Sequence, residues 1–213
     1  MTKFIIVRHG FSLSNLKSTM TGQLDEPLTE TGLSQGKLVS EYIFKNYKID
    51  AIYSSDLSRA VDTIASLSKM AKIPIIKDQR LRELHAGEWQ GISVSELMEK
   101  YGEIYEKWRV HDPSIRPPKG ESMQELQERG ITALKDIAKL NEGKTVVVAT
   151  HGGLIKTLHA YFLGLPVQKW KDLSYLPNAS ILEVSFDNGL FNITAGPIDH
   201  YLGDMHTEMP KGI

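Results

Sequence analysis

Two histidines in this chain close apolar, β-branched runs: Phe4-Ile5-Ile6-Val7-Arg8-His9-Gly10 and Thr145-Val146-Val147-Val148-Ala149-Thr150-His151-Gly152-Gly153. If both runs are buried strands lying side by side and parallel, both imidazoles emerge at one carboxyl edge, where open α/β sheets bind ligands. Arg8, beside His9, offers a bidentate fork for phosphate or carboxylate, and Ser12 and Asn15 follow with neutral donors. His151 and Gly152 stand where a helix should begin, with Thr150 as its expected cap, and free helix N–H groups favour an anion. Arg59 falls in the first turn of a helix after Ala51-Ile52-Tyr53-Ser54, where a cation opposes the helix dipole unless an anion sits nearby. Glu83 follows a third strand, and a carboxyl beside phosphate can protonate a leaving group; Glu88 and Arg82 are equally polar and spacing does not rank them. Taken singly, each has a plainer reading: a solvated arginine, a structural histidine, a helix-start histidine without a ligand. Taken together, two histidines, two arginines and one glutamate at strand ends compose metal-free phosphoryl transfer. One imidazole attacks, the guanidiniums hold equatorial oxygens, and the carboxyl protonates the leaving oxygen.

Composition removes competing chemistries. The chain has no cysteine, so thiolate nucleophiles, disulfides and Cys-based metal sites are excluded. His9 and His151 lack a third zinc ligand at a convincing spacing, and no glycine-rich nucleotide loop is present. A net charge of −1 gives no electrostatic footprint for nucleic acid or an anionic membrane. No run approaches the roughly 18–20 apolar residues of a membrane span, and the N-terminus lacks a signal-peptide layout. The expectation is a cytoplasmic protein with neither a nucleic-acid nor a membrane partner.

These residues need a sheet to bring them together. Strand-like runs at 3–7, 51–54, 73–76 and from 145 alternate with helical patterns at 30–44, 57–71, 122–140 and 154–163. That rhythm predicts an α/β fold, a three-layer α/β/α sandwich on a mostly parallel sheet. Ser55 can cap the second helix, and Ser122 with Glu125 reads as a capping box for the third. Residues 10–29 read as a polar loop. Asp187-Asn188-Gly189, between runs at 180–186 and 190–195, is a hairpin turn that adds one antiparallel edge strand. Such an edge also offers strand pairing with a second copy, a homodimer. Between residues 85 and 120 the rhythm breaks. Ser93 and Glu96 form a capping box for a helix near 94–101, a second stretch reaches 109, and Asp112-Pro113 and Pro117-Pro118 end it. This is expected to be a helical insertion over the active site, within one domain spanning 1–213. Trp89 reads as core. The tail from 197 to 213 has no period; His200 and His206 could fold over the site, though a surface tail is the plainer reading.

The motifs resemble the histidine phosphatase superfamily, the phosphoglycerate-mutase-like family, along nearly the whole chain. The resemblance rests on Val7-Arg8-His9-Gly10 with Ser12 and Asn15; Gly22; Pro27-Leu28-Thr29 with Gly32 and Gln35; Tyr53-Ser54-Ser55-Asp56-Leu57-Ser58-Arg59-Ala60 with Thr63; Leu84, Gly87, Trp89 and Gly91; Gly120-Glu121-Ser122; and Thr150-His151-Gly152-Gly153. It implies that His9 is the nucleophile and becomes phosphohistidine. Arg8, Arg59 and His151 would form the phosphate pocket with Gly152, and Glu83 would be the proton donor and later the base for water. Asn15 and Gln23 would contribute to the pocket. The family needs no metal or organic cofactor, and the implied ligand is a small-molecule phosphate ester. The alternative within the family is a 2,3-bisphosphoglycerate-dependent phosphoglycerate mutase. Such mutases carry a longer, more basic segment after the proton donor. Here Glu83 to Gly120 is short, with Arg109, Arg116 and Lys119 scattered, and the run from Glu83 to Gly91 resembles the small bacterial phosphatases. Phe11, Leu13, Met20, Trp108, Met123 and Met205 predict a partly apolar rim, which points away from a small, doubly anionic substrate.

Overall fold

Strand β1 (Thr2–Arg8) pairs in parallel with β4 (Thr145–Thr150), in a register that sets Arg8 opposite Thr150. The N–H of His9 then donates to the carbonyl of Thr150 at 2.9 Å, so both strands end at the same rim. This computed structural model describes residues 1–17, 19–110, 112 and 114–207. Four further strands, β2 (Ala51–Ser54), β3 (Ile75–Lys77), β5 (Ile181–Asp187) and β6 (Leu190–Ile198), complete a sheet of order β3-β2-β4-β1-β5-β6. The first four in that order run parallel, and the β5–β6 hairpin supplies the antiparallel edge.

Both faces of β1 and β4 are buried, which is why these strands read as continuous apolar runs. On one face Ile5, Val7, Ile52, Val147 and Ala149 meet α2 (Glu30–Asn46) and α3 (Ser58–Ala71). On the other, Phe4, Ile6, Val146 and Val148 meet α5 (Met123–Leu140) and α6 (Gly152–Phe162). Helix α4 (Val94–Val110) joins this second layer through Leu97, Tyr105 and Trp108, against a fully buried Trp89. Two expected capping boxes form, Ser122 with Glu125 and Ser93 with Glu96, and Thr29 Oγ1 caps α2 by accepting from the N–H of Gly32. Ser55 does not cap α3, because Leu57 occupies the cap position and the Ser55 hydroxyl, two residues earlier, accepts from the Leu57 N–H at 3.3 Å. Gly102, at φ 33°, kinks α4 between its two helical stretches. Among the described residues, no helix is long and apolar enough to cross a membrane.

Three further expectations change. The loop at 10–29 contains a short helix, α1 (Leu13–Lys17). The third strand starts after Pro74, because the N–H of Ile73 is held by the carbonyl of Ser68 at the end of α3. Thr150 does not cap α6; its hydroxyl donates to the carbonyl of Leu81, and His151 occupies the cap position. The described part of the tail, up to Thr207, follows the plainer reading and lies away from the cavity. Its 3₁₀ turn (His200–Met205) packs on α2, where Tyr201 stacks on Tyr42 and Gln35 donates to the Met205 carbonyl. Pro113 and residues 208–213 lie outside the described residues.

Candidate active site

At the carboxyl rim of β1 and β4 opens a cavity of about 300 Å³. Arg8, His9, Asn15, Arg59, Glu83 and Gly152 line it, and His151 lies just beneath with no exposed surface. The rings of His9 and His151 are 5.2 Å apart, centroid to centroid.

The protein fixes the protonation of both rings through their partners. Nδ1 of His9 lies 2.7 Å from the carbonyl of Gly10. A carbonyl only accepts, so Nδ1 carries the hydrogen and Nε2 keeps its lone pair. In His151, Nδ1 accepts from Nε of Arg59 at 3.2 Å, so Nε2 carries the hydrogen and donates to Ser55 Oγ at 2.8 Å. Burial, with Arg59 and Arg8 nearby, drives the pKa of His9 well below the usual imidazole value. Burial and Arg59 do the same to His151. Both rings are therefore neutral, and the Nε2 of His9 is a free nucleophile.

The cations are pinned from behind. Arg59 donates from Nη1 to the carbonyl of Leu24 at 2.7 Å and from Nη2 to that of Gly22 at 2.9 Å. Arg8 donates from Nη1 to the carbonyl of Leu176. Burial lowers the pKa of Arg8 to about 10 and also lowers that of Arg59, yet both stay charged at neutral pH. Two buried guanidiniums facing one carboxylate leave positive charge for an anion to match.

Glu83 is held by two backbone donors: Oε1 accepts from Leu84 and Oε2 from Gly153, each at 2.8 Å. A Cβ at position 153 would lie 2.5 Å from Oε1, so only glycine lets the carboxylate approach the start of α6. Arg82 and Glu88, unranked by spacing, are separated from Glu83 here. Arg82 grips Asp56 through two nitrogens, and Glu88 pairs with Lys119. Asn15 accepts through Oδ1 from Ser12 and Asn178, so its amide nitrogen is what it offers the cavity. Gln23 does not line the cavity; it donates to the Glu83 carbonyl at 3.1 Å. Of the predicted rim, Met20, Trp108 and Met123 face the cavity, whereas Phe11, Leu13 and Met205 do not.

Sequence reasoning missed the scaffold behind these groups. Asn178, fully buried, donates to the carbonyls of His9 and Gly10 and to Asn15. Arg129 grips Glu121 and donates to the carbonyls of Arg80, Arg82 and Glu83, which fixes the segment carrying Glu83. Neither sits in a periodic pattern; a polar residue just before β5 and an arginine within α5 were the only traces. Lys156 and Tyr175, which also line the cavity, were missed as well. Among the described residues, no group of three or more His, Asp or Glu side chains is arranged to hold a metal.

Comparison with known proteins gives a consistent result. A family model described as histidine phosphatase superfamily (branch 1) matches residues 4–196. A metal-independent phosphoserine phosphatase of Arabidopsis thaliana is 30% identical over 210 residues, covering 88% of each chain. A probable phosphoglycerate mutase of Photorhabdus laumondii is 37% identical over 210 residues, covering 94% of this chain and 95% of its own. The solved structure of a mycobacterial glucosyl-3-phosphoglycerate phosphatase in complex with VO3 superposes with a TM-score of 0.83 at 32% identity, covering 92% of this chain and 99% of its own.

Proposed function

Because the chain belongs to the histidine phosphatase superfamily, branch 1, we propose that it is a metal-independent phosphomonoester hydrolase working through a phosphohistidine on a small phosphorylated metabolite. The observation that carries this reading is the bare Nε2 of His9, flanked by Arg8 and Arg59 in the cavity that also holds the Glu83 carboxyl. Nε2 attacks phosphorus, the N–P bond forms and the P–O bond to the leaving group breaks. Glu83, protonated, gives its proton to the departing oxygen. Water then attacks phosphohistidine, Glu83 takes the proton back, and His9 and inorganic phosphate are released. Arg8, Arg59 and the Asn15 amide hold the equatorial oxygens as their charge shifts. His151 serves by fixing Arg59 and Gln23 by backing Glu83, while Gly152 lets Arg8 and the ligand approach the start of α6. Residues 1–213 act as one domain, with Tyr105, Trp108 and Arg109 of the stretch 85–120 as one wall of the cavity.

The test is hydrolysis of p-nitrophenyl phosphate with and without chelator, together with trapping of an acid-labile phosphoenzyme. Chelator should leave the rate unchanged, and His9→Ala should lose both turnover and label. Full activity in His9→Ala would sink the proposal. Interconversion of 3- and 2-phosphoglycerate, stimulated by the bisphosphate and faster than hydrolysis, would replace it with the mutase reading.

A further inference from the structure

Gln35 does not line the active-site cavity and has no part in the chemistry above. It sits on α2 with no exposed surface, and its amide spans two segments distant in the chain. Oε1 accepts from the N–H of Phe11 at 2.8 Å. Nε2 donates to the carbonyl of Met205 at 2.7 Å and to Thr207 Oγ1 at 3.3 Å. These partners leave the amide one orientation, because the Phe11 N–H only donates and the Met205 carbonyl only accepts.

The Phe11 N–H belongs to the same peptide unit as the Gly10 carbonyl, the group that faces Nδ1 of His9 at 2.7 Å. A trans peptide unit is planar, with its N–H and C=O pointing opposite ways. Holding the N–H therefore sets the direction of the carbonyl that chooses the tautomer of His9. Other contacts locate the turn but do not grip this N–H. A Cβ at Gly10 would lie 2.5 Å from the Gly32 carbonyl oxygen, so the turn rests on the start of α2. The Gly10 N–H, in the preceding peptide unit, donates to Thr63 Oγ1 at 2.8 Å. Asn178 reaches the Gly10 carbonyl only at 3.3 Å. The tail is itself anchored near the same turn. Tyr201 stacks on Tyr42 of α2, and its hydroxyl donates to the carbonyl of Ala179, whose N–H reaches the carbonyls of Arg8 and His9.

We infer that Gln35 is a positioning residue for the nucleophile: its amide, oriented by residues 205–207, locks the Gly10–Phe11 peptide unit and so keeps the hydrogen of His9 on Nδ1. This rests on the proposed function, in which His9 attacks through Nε2. Without the lock the peptide unit is free to turn and the hydrogen to move to Nε2. A ring protonated there has no lone pair to offer phosphorus.

The test reads the tautomer directly, from long-range proton–nitrogen correlation spectra of protein carrying nitrogen-15 histidine. Wild-type His9 should carry its hydrogen on Nδ1 alone. Gln35→Met, of similar volume but without the amide, should show a share of the Nε2–H form. Its kcat/KM for p-nitrophenyl phosphate should fall about three- to tenfold, the bias of one hydrogen bond. Gln35→Glu, which still accepts from the Phe11 N–H, should restore the tautomer and most of the rate. Calorimetric affinity for inorganic phosphate should be equal in all three proteins, since Arg8 and Arg59 are untouched. An unchanged tautomer in Gln35→Met, or a rate that falls only in step with phosphate affinity, would overturn the assignment. Should Gln35→Met fail to fold, Gln35→Asn, one methylene short of Phe11, reads the same tautomer and rate. Failure of the phosphatase reading would show instead as a wild-type enzyme inert toward p-nitrophenyl phosphate, while the tautomer still decides the role of Gln35.

Discussion

The bond from Nδ1 of His9 to the Gly10 carbonyl decides where that ring keeps its lone pair. With the folded pKa held well below the ordinary imidazole value, the nucleophile stays unprotonated as pH falls through about 6.5. The acid limb of kcat/KM for an aryl phosphate should therefore lie below the usual imidazole range; a limb centred near 6.5 would contradict this. Gly153→Ala should force the Glu83 carboxylate out of place. We expect kcat to drop at least tenfold while the far-ultraviolet spectrum is preserved, with the loss smaller for leaving groups that need no proton. Lys156 lies buried with no ion pair within 4 Å among the described residues, so removing its charge in Lys156→Met should raise Tm at neutral pH by a few degrees, measured calorimetrically.

At the level of elements, the rim is built by segments that carry no chemistry. The segment before β5 delivers Asn178 beneath the His9-Gly10 turn, and α5 delivers Arg129 beneath Glu83. Asn178→Ala strips one of two donors from each of the His9 and Gly10 carbonyls and loosens Asn15, so it should cost about 1–3 kcal/mol in denaturant unfolding and lower kcat as well. The strands β1, β2 and β4 were legible because burial on both faces demands uninterrupted β-branched runs. Helices α2 and α5 were legible because their apolar residues repeat at helical spacing, and for α5 because Ser122 announces its start. The site residues on those strand ends were legible for the same reason. Helix α1 was not, since five residues give no measurable period. Asn178, Arg129 and Lys156 were hidden because their meaning lies in partners more than 25 positions away or across the cavity.

For the molecule as a whole, the buried imidazoles link stability to pH. His9 and His151 have folded pKa values below their unfolded ones, so the unfolded chain binds more protons once pH falls below about 6.5. Their contribution is complete above that value and is lost as pH falls toward the folded pKa values. Tm should therefore decline from pH 7.5 to 5.5, and the decline should be shallower in a His9→Gln protein. A last consequence comes from the guanidinium groups held by main-chain carbonyls. Arg59 is fastened to Gly22 and Leu24 and Arg8 to Leu176, so the anion pocket is fully formed before any ligand arrives. A pocket shaped this rigidly for the phosphoryl group suits free orthophosphate as well as it suits the ester. Turnover at saturating substrate should then be governed by departure of the product, with inorganic phosphate a competitive inhibitor.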